Sequence, residues 1–143
     1  MTGEVVLDAS VILTWVFPSP VDEPDAGRAL ELLAALGEGA ITAIEPPHWL
    51  AEVSAVAARR FPARAAEVVG LLYGMDLPVV ADLEIYERAA RLAVDTKQHV
   101  FDTLYHAVAL SRPAASLVTA DERYYRAATR AGRLMRLADL TCV

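Results

Sequence analysis

The apolar run Val5-Val6-Leu7 stops at Asp8, and short runs of this kind recur along the chain with helical segments between them. An apolar run this short, without polar alternation, suits a strand buried on both faces, and such strands form parallel sheets covered by helices. After the first strand, residues 9–17 read as a helix closed by the breaker Pro18-Ser19-Pro20, and residues 25–36 as a second helix stopped by Gly37 and Gly39. A second strand over 40–44 is followed by helices from Pro47 to Arg60 and from Pro62 to about Tyr73, proline being suited to a helix start. Residues 77–80 read as a third strand, 83–94 and 102–110 as helices, 116–119 as a fourth strand, 122–131 as a last helix and 134–137 as a fifth strand. The alternation predicts one three-layer α/β/α domain over residues 1–143, with a mainly parallel central sheet of about five strands.

Composition narrows the class. A chain of 143 residues buries about two thirds of the surface its unfolded form exposes, so it folds without a staple. Cys142 is the only cysteine, which excludes a disulfide framework and a zinc knuckle, and it reads as an inert terminal thiol. The longest stretch without charge, residues 9–21, is 13 residues with two prolines, too short for a membrane span of about 20. The opening Met1-Thr2-Gly3-Glu4 has no basic segment of the secretory kind, so a soluble cytoplasmic protein with no membrane partner is expected. Thirteen basic against 19 acidic side chains give a net charge of −6, which argues against indiscriminate binding to phosphate backbones but leaves room for a local basic face. A mean hydropathy of +0.33 is high for a small soluble chain and implies apolar surface covered by a second copy or an obligate partner.

Chemistry in an open parallel sheet gathers outside the carboxyl ends of the strands. Asp8 directly follows the first strand, and Asp121 follows the strand at 116–119 after one spacer. Either carboxylate could instead cap the helix that begins next to it, aspartate being a favoured N-cap. Glu52 and Asp102 lie on otherwise apolar helical stretches, where a carboxylate is costly to bury unless it is paired or bound to a cation.

Four segments then carry a resemblance. Val6-Leu7-Asp8-Ala9-Ser10, Pro47-His48-Trp49-Leu50-Ala51-Glu52-Val53, the helical segment Phe101-Asp102-Thr103-Leu104-Tyr105-His106-Ala107-Val108-Ala109, and Leu117-Val118-Thr119-Ala120-Asp121-Glu122-Arg123 together resemble the acidic motifs of PIN-domain ribonucleases, specifically the VapC-type toxins of bacterial toxin–antitoxin pairs. The resemblance implies that Asp8, Glu52, Asp102 and Asp121 bind metal, with the Ser10 and Thr119 hydroxyls supporting them. It also implies a Mg2+-dependent endoribonuclease that pairs with itself and with a cognate antitoxin. Within the same family, a nuclease of RNA maturation and a non-catalytic module that binds RNA or protein are the alternatives.

Four converging carboxylates repel one another and raise their own pKa values, so a divalent cation is needed to hold them ionised together. A ligand set of oxygens alone selects Mg2+ or Mn2+ over zinc. Such a centre stabilises charge during in-line attack on a phosphodiester. A haloacid-dehalogenase-type phosphatase would carry a second aspartate two residues after Asp8, where Ser10 stands, and the single lysine, Lys97, follows no strand. For RNA contact, Arg123, Arg126 and Arg130 fall on one helical stripe at about 100° per residue, and Arg59 shares the Glu52 face. That stripe reads equally well as a solvated outer face. His48 stands one turn before Glu52 and could bond it, His99 reads as loop, and His106 occupies an otherwise apolar helix.

Overall fold

The computed structural model describes residues 3–17 and 24–140, so the breaker at 18–20 and Cys142 lie outside the described residues. Strands β1 (Gly3–Leu7), β2 (Ile41–Ala43), β3 (Ala115–Thr119) and β4 (Leu134–Arg136) form one sheet in the order β2-β1-β3-β4. Every pairing is parallel. Side chains alternate between the two faces of a strand, yet Val5, Val6 and Leu7 are all buried, as are Leu117, Val118 and Thr119. Both faces of the central strands are therefore covered, as expected for an α/β sandwich of three layers.

The covering helices are α1 (Ala9–Val16), α2 (Pro24–Gly37), α3 (Trp49–Arg60), α4 (Ala65–Tyr73), α5 (Leu83–Thr96), α6 (Val100–Leu110) and α7 (Glu122–Ala128). Each packs through an apolar stripe. Helix α1 buries Val11, Ile12 and Trp15, and α5 buries Ile85, Ala89 and Leu92 at the helical period. Helix α6 buries every residue from Thr103 to Ala109 and packs on β1, β3 and α5. Burial on all sides makes it the central support of the sheet.

Two expected elements are corrected. Residues 77–80, expected as the third strand, do not join the sheet but make a single parallel bridge, Glu45 to Val79, just past β2. Glu45 N–H donates to the Pro78 carbonyl and Val80 N–H to that of Glu45, both at 2.9 Å. The flanking bonds of a parallel ladder would need an N–H at residue 47 on one side and at residue 78 on the other, and both are prolines, so the pairing cannot propagate. The last helix ends at Ala128 rather than 131, because Thr129–Ala131 tighten into a 3-10 turn.

The connection leaving β1 leads to β2 on one side, while that leaving β3 leads to β4 on the other. The main chains thus part at the carboxyl ends of β1 and β3, which opens a crevice there.

Candidate metal centre

Asp8 leaves β1 where its own N–H still donates to the Val118 carbonyl at 3.1 Å, so the β1–β3 ladder fixes its backbone. Its Oδ2 accepts from the Ser10 N–H at 3.1 Å as the cap of α1, and from the Ser10 hydroxyl. The hydroxyl oxygen in turn accepts from the Ala120 N–H at 3.1 Å and so bridges the crevice just where the two strands diverge. Across the crevice, the Asp121 side chain caps α7 by accepting from the Tyr124 N–H at 3.0 Å, and the Asp121 N–H donates to the Thr119 hydroxyl at 3.0 Å. Both strand-end aspartates are therefore caps, and the expected hydroxyls Ser10 and Thr119 each touch one of them.

Helices α3 and α6 bring the other two carboxylates to the same opening. Asp8, Glu52 and Asp102 each present a carboxylate oxygen, and these three atoms lie within 4.8 Å of one another. Asp121 is exposed and stands outside this tight trio, although it lines the same cavity of about 570 Å³. Hard dications take oxygen ligands at roughly 2.0–2.6 Å, which allows ligands of one ion to be up to about 5 Å apart. The spacing and the all-oxygen donor set therefore fit one Mg2+ or Mn2+.

Without a cation, Asp8 and Asp102 resist ionisation. Burial pushes the Asp8 carboxyl up to about 6, outweighing the two lowering bonds from Ser10, and the charges of Glu52 and Asp102 add to the rise. Asp102 is raised as well, first by burial and then by Glu52 and Asp121, against partial relief from His99 and His48. Asp121 thus acts on Asp102 through its field.

His48 occupies the cap position of α3 and makes no capping bond with its side chain. Its Nε2 lies 3.1 Å from Glu52 Oε2 but 2.7 Å from the Phe101 carbonyl oxygen. The single N–H serves the carbonyl, which can only accept, and Glu52 Oε2 is left without a hydrogen bond. His48 consequently ties α3 to the residue before Asp102. His106 is buried in a satisfied network, with Nδ1 accepting from the Tyr124 hydroxyl at 2.9 Å and Nε2–H donating to the Gly132 carbonyl at 2.7 Å. Burial lowers its pKa and keeps the ring neutral, which makes it a link between α6 and α7. His99 sits between α5 and α6 at the cap position of α6.

One acid escaped the sequence reading. Glu45 is wholly buried, and its Oε1 accepts from the Leu7 N–H at 2.8 Å. The β1–β2 ladder would next offer the Ile44 carbonyl to this N–H, so the side chain substitutes for a strand bond as the Glu45 backbone turns out toward Pro78. Burial, with the Asp8 and Glu52 charges, holds its carboxyl well above the usual range and so disfavours its charged form behind the trio. The available signal was its position, since Glu45 follows β2 much as Asp8 follows β1.

The arginines divide. Arg59 lines the acidic cavity, and so does Arg60, which the helical-face argument did not select. Arg126 and Arg130 instead line a separate depression with Asp95 and Thr96 of α5, and Arg123 lines neither. Arg126 and Arg130 thus share one depression although Arg130 lies in the 3-10 turn, and Arg123 is the member of the expected stripe that stands apart.

With this geometry in hand, residues 5–130 match the family model described as the PIN domain. The chain belongs to the PIN domain family. Among solved structures it is similar to a chain of VapBC2 from Rickettsia felis, described as bound to a DNA fragment from their promoter, with a TM-score of 0.65 at 14% identity. That match covers 93% of this PIN domain protein and 96% of the other chain, and at such identity it reports a shared fold. No curated protein matches the sequence.

Proposed function

We propose that this PIN domain protein is a divalent-metal-dependent endoribonuclease and the toxin of a toxin–antitoxin pair. The observation that carries the reading is the meeting of Asp8, Glu52 and Asp102 within 4.8 Å at the strand-end crevice of a PIN fold. Those three would hold Mg2+ or Mn2+, and Asp121 would lend its field from the rim. The cation would supply charge against the developing phosphorane and activate the attacking water. Ser10 holds the Asp8 carboxylate in place, His48 holds α3 against the start of α6, and Arg59 offers a cation for a flanking phosphate. Arg123, Arg126 and Arg130 would contact RNA only at a distance from the cut.

The likeness in shape to VapBC2 supports a protein antitoxin as partner. An antitoxin helix laid along the Leu13 and Phe17 side of the cavity would point an Arg or Lys at the trio, taking its affinity from apolar contact. A cation of that kind competes with the metal for the same carboxylates, so by linkage it binds more weakly as Mg2+ rises. Exposed Leu71, Tyr73, Leu83, Tyr86, Val94 and Phe101 on α4, α5 and α6 support a homodimer through the later helices. Among the described residues no helix is long and apolar enough to cross a membrane. The cytoplasm, where RNA is abundant, is the proposed site of action.

The test is cleavage of single-stranded RNA by the purified protein. Cutting is expected with Mg2+ or Mn2+ and not in excess chelator. Cutting in chelator, or none under any metal condition, would overturn the reading, the second result favouring a module that only binds.

A further inference from the structure

The acidic cavity has a second end. Its far wall carries Phe17, at the close of α1, and Phe61, just past α3, whose rings stack with centroids 3.8 Å apart and planes 7° from parallel. Phe61 keeps 37% of its surface exposed, so part of its ring stays open beside the Phe17 stack. Arg59 and Arg60 immediately precede it and line the same cavity, so the aromatic pair is flanked by cations while the opposite end holds three carboxylates. One cleft thus offers a dication site, guanidinium groups and a flat π surface.

These features match the parts of a nucleotide, namely the scissile phosphate, a neighbouring phosphate and a base. We propose that Phe61, backed by Phe17, is a stacking platform for an unpaired base of a single-stranded RNA whose backbone runs along the cavity from the phosphate held at the trio. The nine residues from Asp8 to Phe17 and from Glu52 to Phe61 set the platform roughly 13 Å from the carboxylates. Stacking on an aromatic ring is available to every base and requires the base to be out of its own stack, so the platform selects single strands and not sequence. Phe17 keeps the Phe61 ring flat and fixed, which spares the ordering cost on binding. Arg59 and Arg60 contribute affinity that falls with salt and is indifferent to the base. The proposal rests on the reading of the trio as an RNA-cutting centre, but it concerns binding and is testable apart from cleavage.

The experiment is fluorescence anisotropy with the full chain and Ca2+ as the dication. One probe is a labelled single-stranded 12-nucleotide RNA, and the other is a strand of the same length made of abasic ribose phosphates. The wild type is expected to prefer the RNA by roughly tenfold, the effect of one stacked base. Phe61→Leu, which keeps the apolar bulk and removes the π face, should bring the two strands to equal affinity, and Phe61→Trp should keep the preference. Arg60→Ala should weaken both strands alike. Thermal melting checks that the variants are folded, and a Phe61→Leu variant that melts early is replaced by Phe61→Met. A preference that survives loss of the ring in a folded variant, or no preference in the wild type, would overturn the platform. A wild type that prefers the RNA yet never cuts it would instead overturn the nuclease reading and leave the platform standing.

Discussion

Asp8 and Asp121 each follow a central strand of the sheet, and each caps the next helix by accepting a main-chain N–H. Their surroundings differ. Asp8 is half-buried among Ser10, Glu52 and Asp102 and is pushed up to about 6, whereas Asp121 is exposed and, among the described residues, belongs to no tight cluster of ligands. The helix-cap and metal-ligand readings of a strand-end aspartate are therefore not alternatives, because one carboxylate can serve an N–H with one oxygen edge and a cation with the other. What separates the two residues is the number of further carboxylates that the fold brings within reach.

The largest expected effect is on the Asp8 side. Asp8→Asn or Asp102→Asn removes a ligand charge from the trio, and losing several kcal/mol of charge stabilisation means roughly a 10²- to 10³-fold fall in RNA cleavage rate. Asn remains a good helix cap, so Asp8→Asn should leave circular dichroism unchanged. Asp121→Asn should cost no more than about tenfold, because it removes a field and not a close ligand. Equal losses from the two aspartates in a single-turnover assay would break the comparison.

Stability should move in the opposite direction from activity. In chelator, the folded Asp8 carboxyl holds its proton up to about pH 6, while the unfolded one releases it near 3.8. Between those values the folded state binds more protons, so its stability falls as pH rises through the window. Asp8→Asn should abolish that part of the slope and leave the metal-free protein more stable than the wild type at pH 7. Urea denaturation in chelator at pH 4 to 7 reads both effects, and a wild type whose stability rises through that window would contradict the burial argument.

Glu45 sharpens the comparison from behind the site. Glu45→Leu strands the Leu7 N–H in the core at a cost of about 1–3 kcal/mol. Glu45→Gln keeps an acceptor for that N–H and should cost less, a difference measurable by the same denaturation.

Much of this was legible in the sequence, for identifiable reasons. Buried parallel strands show as unbroken apolar runs, so β1 and β3 and the acids beyond them stood out. The acids on α3 and α6 were visible because their neighbours are apolar. Glu45 carried a positional signal as a strand-end acid, but its role, replacing a backbone acceptor, is set by how β2 diverges from β1. Residues 77–80 have apolar strand composition, but prolines at both neighbouring donor positions, Pro78 within the segment and Pro47 on its partner, prevent a ladder. Of the arginine stripe, Arg126 and Arg130 line one depression and Arg123 does not, a division that residue spacing alone could not show.

The central claim, that Asp8, Glu52 and Asp102 form one cation site to which Asp121 is peripheral, is tested most directly by calorimetric titration with Mn2+ at pH 7. The expected result is one site in the wild type, retained in Asp121→Asn with a modest loss of affinity and lost in Asp8→Asn, Glu52→Gln and Asp102→Asn. A wild type that binds no Mn2+, or an Asp121→Asn variant that loses binding as completely as Asp8→Asn, would contradict it.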